Sequence, residues 1–318
     1  MARKQIVDYR LLQKVSKLYY DNTLTQKEIS GRLKISRPKV SRLLKQAKDF
    51  GIVKITISGI PGIHTDIENA LENEYGIDEV YIVEVSDPQS QIAVSTEIGV
   101  AAADYFVRAV TDPSMIGISW GTTLRAMADS IPNMDYRKSE LIQVLGGLGL
   151  PESEAHATYI LRRMVAQIGS KLHLLNLPGI LDHASIKQAV LSESYVKEVY
   201  ALFKKLDIVF LGLGAPTPES VIMRDGTILT EAELKMLLEK GAVGDIALRF
   251  LDKDGNIVQS EINDRVIGIS LKELKNTKQV IGLAGGPDKV GIIRAALRGK
   301  FINHLITDQL TGEKLLID

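Results

Sequence analysis

Ile116-Gly117-Ile118-Ser119-Trp120-Gly121-Thr122-Thr123-Leu124 decides the fold. Its first half is a short apolar run, its second half opens a helix, and Gly121 joins them. Short apolar strands that enter helices through glycine turns belong to α/β proteins with a parallel sheet. The pattern repeats in both directions along the chain. Strands are expected at 80–85, 115–120, 141–145, 171–175, 208–213, 280–284 and 301–307. Helices are expected between most of them, at 65–75, 92–110, 122–130, 154–168, 192–206, 231–240 and 287–298. The reading is an α/β chain with a Rossmann-like parallel sheet covered on both faces. In such sheets ligands bind beyond the carboxyl ends of the strands.

Three turns carry candidate chemistry there. At the first, Gly121 lets the backbone approach closely, and Thr122 and Thr123 offer N–H and O–H groups at a helix N-terminus. That is either an anion site or a plain cap. The second is Gly282-Leu283-Ala284-Gly285-Gly286-Pro287-Asp288-Lys289. Lys289 lies in a first helical turn, where a cation opposes the helix dipole, and it suits an anionic ligand. The third is Gly241-Ala242-Val243-Gly244-Asp245-Ile246, with Arg249 just beyond. Its carboxylate is placed to accept hydrogen bonds from sugar hydroxyls or to cap a turn. Gly212-Leu213-Gly214 is a lone GxG, and no acidic residue follows about 20 positions on to hold a ribose.

Composition excludes several classes. The chain has 318 residues, 45% of them hydrophobic and 25% charged, which is ordinary for a globular protein of about two domains. There is no cysteine, hence no disulfide, thiolate metal site or cysteine nucleophile. The five histidines do not reach metal-ligand spacing, so neither metal nor cofactor is expected. No run of about 18 apolar residues occurs, so no membrane span is expected. The first residues lead into a charged amphipathic segment rather than an apolar signal core, which favours a cytoplasmic location.

A net charge of zero hides an asymmetry. Residues 1–58 hold 14 Lys or Arg against 4 Asp or Glu, whereas the remaining 260 hold 25 against 35. A basic head on an acidic body suits a protein that sets one end on a polyanion. The head, 1–58, reads as three helices. The first runs from Asp8 to Tyr20. Thr25 and Glu28 form a capping box for the second, Gln26–Leu33, and Ser36 caps the third, which runs to about Lys48 with Pro38 in its first turn. The last two make a helix-turn-helix whose outer face carries Arg37, Lys39, Ser41, Arg42 and Lys45. Arg and Lys donate to guanine edges or phosphate, and hydroxyls bond phosphate oxygens. The alternating stretch Ile52-Val53-Lys54-Ile55-Thr56-Ile57 predicts a strand, the wing of a winged helix. From Ile60-Pro61-Gly62 onward the pattern is that of the body, 59–318.

The string Leu24-Thr25-Gln26-Lys27-Glu28-Ile29 … Ile35-Ser36-Arg37-Pro38-Lys39-Val40-Ser41-Arg42-Leu43-Leu44 closely resembles the DNA-reading segment of the SorC family of bacterial sugar-responsive regulators. The resemblance extends over essentially the whole chain, with Ser119–Leu124, Gly241–Ile246, Asn263-Asp264-Arg265 and Ala284–Lys289 as further landmarks. It implies an effector domain similar in fold to ribose-5-phosphate isomerase and glucosamine-6-phosphate deaminase, one that binds phosphorylated sugars without turning them over. It also implies DNA contacts from Ser36, Arg37, Lys39, Ser41, Arg42 and Lys45, with Thr25 and Gln26 gripping the backbone. Gly121, Thr122, Thr123 and Lys289 would hold the phosphate and Asp245 the hydroxyls. Gln143 and Asn176, at the ends of neighbouring strands, are further candidates for the sugar.

The chain departs from the enzymes at their catalytic segments. It has neither the Asp-Gly-Ala-Asp-Glu run of the isomerases nor the Asp-Gly-His of the deaminases, and proton abstraction beside a carbonyl needs a positioned base. Where some relatives carry a Schiff-base lysine, this chain reads Gln143-Val144-Leu145. The expectation is therefore a non-enzymatic regulator, a repressor released from operator DNA by a noncovalently bound sugar phosphate, acting as a dimer or tetramer on palindromic half-sites. An activator would use the same parts. The alternative from a different class is a sugar-phosphate isomerase or deaminase with a DNA-binding head.

Overall fold

In the computed structural model, which describes residues 8–56, 60, 62–147, 151–217, 220, 222–223 and 228–317 (backbone only over 151–157), the chain divides into two units, Met1–Gly59 and Ile60–Asp318.

The first unit is three helices fixed by their caps. Asp8 accepts the Leu11 amide and starts α1 (Tyr9–Ser16), which continues through one π-helical turn, Lys17–Asp21. Thr25 and Glu28 bond each other's backbone amides in a reciprocal capping box that opens α2 (Gln26–Leu33). Lys34 takes a left-handed conformation and closes α2. Ser36 then accepts the Lys39 amide and starts α3 (Arg37–Asp49). Leu12, Val15, Leu18, Ile29, Val40, Leu43, Leu44 and Ala47 form the core. The expected wing is corrected. Residues 52–56 are not a strand, and position 57 lies outside the described residues. Ile52 and Val53 pack onto the helical core and the Val53 amide donates to the Ala47 carbonyl. No second strand is present among the described residues of this unit to pair with them, and a lone strand would leave its ladder groups unbonded.

The second unit opens with α4 (Thr65–Tyr75) and builds a sheet of nine strands among the described residues. The strands are β1 (Glu79–Val83), β2 (Met115–Ile118), β3 (Glu140–Gln143), β4 (Lys171–His173), β5 (Ile208–Gly214), β6 (Ala242–Ile246), β7 (Arg249–Asp252), β8 (Gln279–Leu283) and β9 (His304–Asp308). Seven run parallel in the order β1-β9-β8-β5-β2-β3-β4. All five residues of β9 and the first four of β5 are buried in succession. A strand buried at consecutive positions is covered on both faces, which is why these segments read as apolar runs rather than alternating ones.

The helices between them are α5 (Gln91–Ala109), α6 (Thr122–Ser130), α7 (Pro151–Ile168), α8 (Ala184–Ser192), α9 (Ser194–Phe203), α10 (Glu231–Glu239), α11 (Leu271–Asn276), α12 (Val290–Arg298) and α13 (Gln309–Leu315). The helix expected over 192–206 is α9, and α8 precedes it as a helix that was not expected. The third glycine turn is also corrected: 242–246 is strand β6, paired antiparallel with β5 and with β7. The turn itself falls at Ala247 and Leu248, both at positive φ (50° and 61°). Two-residue hairpin turns ordinarily place Asn or Gly there, so no residue type marks this one.

Candidate functional site

The carboxyl ends of β2, β5 and β8 open into one cavity of about 580 Å³. Each end contributes a turn. From β2, the chain passes Ser119 and Trp120 and enters α6 through Gly121, whose φ of 141° few other residues adopt. No side chain caps α6, so the amides of Thr122 and Thr123 in its first turn are left facing the site. From β5 come Leu213, Gly214 and Ala215, and from β8 the loop Leu283–Lys289. The hairpin β6–β7 adds Asp245 and Ala247.

Two ionisable groups of the lining, Asp245 and Lys289, act on each other. Asp245 is 6% exposed and its Oδ2 accepts the Leu248 amide at 3.0 Å. Burial raises the pKa of its carboxyl, against the pull of the Leu248 amide, Lys289 and Arg249. Lys289 is half-buried and its Nζ donates to the Leu213 carbonyl at 2.9 Å. Burial lowers its pKa, while Asp245 and Asp288 act the other way. An ammonium with one carbonyl partner keeps two donors for an incoming anion.

Of the residues expected from sequence, the structure brings Gly121, Thr122, Thr123, Asp245 and Lys289 to this cavity. It does not bring Gln143 and Asn176. Gln143 is buried in the sheet, where Nε2 donates to the Leu145 carbonyl and Oε1 accepts the Leu175 amide, so its amide bridges two strand ends. Asn176 is exposed and outside the cavity wall. The landmark Asn263-Asp264-Arg265 is structural too: Arg265 pairs with Glu233 and donates to the Leu181 carbonyl. Arg249 does not line the cavity; it donates to the Ala247 and Gly268 carbonyls, and burial brings its pKa down to about 10.

Sequence reading missed Gln91, Ser95 and Thr96, which wall the cavity from the first turns of α5. Gln91 Nε2 donates to Ser95 Oγ and to the Gly285 carbonyl, both at 3.2 Å, and Thr122 Oγ1 reaches Ser95 Oγ at 3.5 Å. The available signal was a polar pair four residues apart, Gln91 and Ser95, just after the cap Ser90. No glycine marks it.

In the head, Ser36, Arg37, Lys39, Ser41, Arg42 and Lys45 are exposed, and Gln26 is half-buried. No acidic side chain pairs with these cations among the described residues. Thr25 is exposed, but its hydroxyl is engaged with Glu28 Oε2 at 2.7 Å.

A helix-turn-helix with an unpaired basic face, on a chain whose parallel α/β body holds an anion-ready cavity, has the build of a ligand-responsive transcription regulator. Comparison with known proteins agrees. Residues 62–317 match the family described as "Putative sugar-binding domain". The chain is 33% identical over 303 residues to the deoxyribonucleoside regulator of Bacillus subtilis, covering 95% of this chain and 96% of that one. It is 29% identical over 318 residues to the sorbitol operon regulator of Klebsiella pneumoniae, covering 97% and 98%. The crystal structure of that full-length regulator superposes with a TM-score of 0.74 at 27% identity, over 97% of this chain and 99% of that one. The chain belongs to the SorC family of bacterial sugar-responsive transcription regulators.

Proposed function

We propose that this chain represses carbohydrate-utilisation genes and leaves its operator when a phosphorylated sugar fills the cavity of the second unit. The observation that carries the reading is the meeting, in one cavity, of the uncapped N-terminus of α6 with Lys289. Backbone amides at the positive end of a helix and an ammonium with free donors suit a phosphate. Asp245, with Gln91, Ser95 and Thr96, supplies the acceptors and donors for hydroxyls. Gln143 and Asn176 drop out of the sugar contacts on the geometry above. The head, 1–58, reads the operator through Ser36, Arg37, Lys39, Ser41, Arg42 and Lys45, with Thr25 and Gln26 at the backbone. The body, 59–318, binds effector and holds the oligomer.

Release requires that the sugar bind more tightly to the conformation or assembly whose heads do not fit the operator, since only differential affinity shifts an equilibrium. One head contacts little DNA, so the working form is a dimer or tetramer on palindromic half-sites, in the cytoplasm. Binding without turnover is favoured because no histidine is among the lining residues to work with Asp245 as an acid–base pair.

The test is a thermal-shift screen of the full chain against paired sugars: ribose and ribose 5-phosphate, 2-deoxyribose and its 5-phosphate, fructose and fructose 6-phosphate. Ligand at about 100 times its Kd stabilises by about 2.7 kcal/mol. A shift with a phosphorylated member and none with its free partner supports the reading. Shifts with free sugars only would remove the phosphate from Thr122, Thr123 and Lys289.

A further inference from the structure

β9 ends in Asp308, a carboxylate 2% exposed that does not line the cavity. Its oxygens nonetheless accept three hydrogen bonds beside it. Oδ2 accepts the Gly286 amide at 2.7 Å and the Thr311 hydroxyl at 2.6 Å, while Oδ1 accepts the Thr311 amide at 2.9 Å. The Thr311 hydroxyl also accepts the Gly286 amide, at 2.9 Å. One carboxylate thus caps α13 and holds the turn at Gly285 and Gly286. A Cβ on Gly285 would run into Asp308 Oδ2. That turn is a wall of the cavity and places Lys289 in it.

The other end of α13 is tied as closely. The Tyr75 hydroxyl on α4 donates to the Leu315 carbonyl at 2.8 Å. Between the two ties, Gly312 is buried, and a Cβ there would press on Ile82 of β1 at 2.7 Å and on Ile67 of α4 at 3.3 Å. α13 is two turns long, bonded at both ends and packed without slack in the middle. A close-packed element of this kind moves as a body or not at all. α4 is the first element of the second unit, entered directly from the segment that leaves the head.

We propose that Asp308 is a positioning residue of the effector site, and that α13 carries a change at the Gly285–Lys289 loop to α4 and so toward the head. The proposal rests on the reading of the cavity as the effector site. A ligand drawn to Lys289 shifts the loop; the Asp308 carboxylate passes that shift to the N-terminus of α13, and Tyr75 receives it. Tyr75 lies outside the cavity wall, so removing its hydroxyl breaks the relay without touching a ligand contact.

The experiment compares full-length wild type with Tyr75→Phe and Asp308→Asn. Its first arm needs no ligand: amide hydrogen exchange, followed segment by segment. Tyr75→Phe should speed exchange at 284–289, far along the chain from the substitution, by about three- to tenfold, the factor that one neutral hydrogen bond implies. Asp308→Asn should speed it at 284–289 and at 65–75 together. The second arm measures operator affinity with and without ribose 5-phosphate, 2-deoxyribose 5-phosphate or fructose 6-phosphate, whichever binds wild type. Tyr75→Phe should keep sugar affinity within about twofold while the operator-affinity ratio falls by about three- to tenfold. A purely structural Tyr75 would leave that ratio alone. Unchanged exchange at 284–289 in Tyr75→Phe, or an unchanged ratio, overturns the proposal. If no sugar phosphate binds wild type, the phosphate reading of the cavity fails by itself, and the exchange arm still decides the relay.

Discussion

Gly214 and Asp245 face each other across the antiparallel pairing of β5 with β6, and the carboxylate occupies the space a side chain at 214 would need. A Cβ on Gly214 would overlap Asp245 Oδ1. The glycine is required by proximity, since its own φ is not positive. Gly214→Ala should destabilise the second unit by about 1–3 kcal/mol, the usual cost of overpacking. Most of that cost should vanish in an Asp245→Ala background, because the two substitutions share one contact. Urea denaturation of the four proteins of the cycle measures it; additive losses would contradict the arrangement.

Asp245 also predicts a pH dependence. Burial raises its folded-state pKa above the ordinary 3.8, with Lys289 and Arg249 reducing but not reversing the shift. The folded chain therefore holds a proton that the unfolded chain releases at about 3.8. The stability this group contributes is fully present below that value and is lost as pH rises through the folded pKa. Asp245→Asn cannot titrate, and its amide oxygen still accepts the Leu248 amide. Its stability relative to wild type should rise with pH from 3.8 upward and then level off. Denaturation midpoints across that window check the sign, and a falling difference would refute it.

Trp120 is the one tryptophan in the chain, lines the cavity, and is held by an Nε1 hydrogen bond to the Gly146 carbonyl at 2.8 Å. Its emission should change when a sugar phosphate enters, giving a direct titration. Lys289→Ala should weaken that binding by about 10- to 100-fold, the range for a hydrogen bond to a charged group. Free sugars should bind Lys289→Ala and wild type alike. Equal loss for both would place Lys289 elsewhere than at the phosphate.

Much of this architecture was readable in the chain, for physical reasons that also explain what was not. The central strands β2, β3, β5, β8 and β9 announce themselves because burial on both faces favours apolar runs, whereas the edge strands β1 and β4 keep exposed positions. β6 does not, because Gly241 and Gly244 imitate a turn while the real one at Ala247 and Leu248 uses residues that avoid positive φ. α13 is short and carries Gly312, which weakens its helical signal even as it permits the close packing on β1 and α4. Gly121, Thr122, Thr123 and Lys289 stood out because glycine turns between strands and helices have a recognisable chemistry, whereas Asp245 was singled out in a glycine turn that is strand β6. Gln143 misled for the opposite reason: a polar residue at a strand end can face the ligand or stitch the sheet, and spacing does not separate the two.

The head offers a prediction in which the kind of contact, and not only its presence, is decided. Arg37 and Arg42 are exposed on α3 with no acidic partner among the described residues. The other face of α3 is buried through Val40, Leu43, Leu44 and Ala47, which keeps the helix in place when either arginine is shortened. Alanine at each should therefore leave folding intact and weaken operator binding. If the arginine meets phosphate, affinity falls alike on operator and unrelated DNA, and the slope of log affinity against log salt drops by about 0.9 for each phosphate no longer neutralised. If it reads a base edge, the slope holds, and about 1–3 kcal/mol of discrimination disappears at one operator position. Thr25→Ala should differ from both. Its hydroxyl is tied into the α2 cap, so the substitution should cost about 1 kcal/mol of stability in the head before any change at DNA appears. Salt titrations of the three variants on matched and mismatched duplexes, beside their thermal unfolding, separate these outcomes. An unchanged affinity and slope for both arginine variants would take α3 off the DNA.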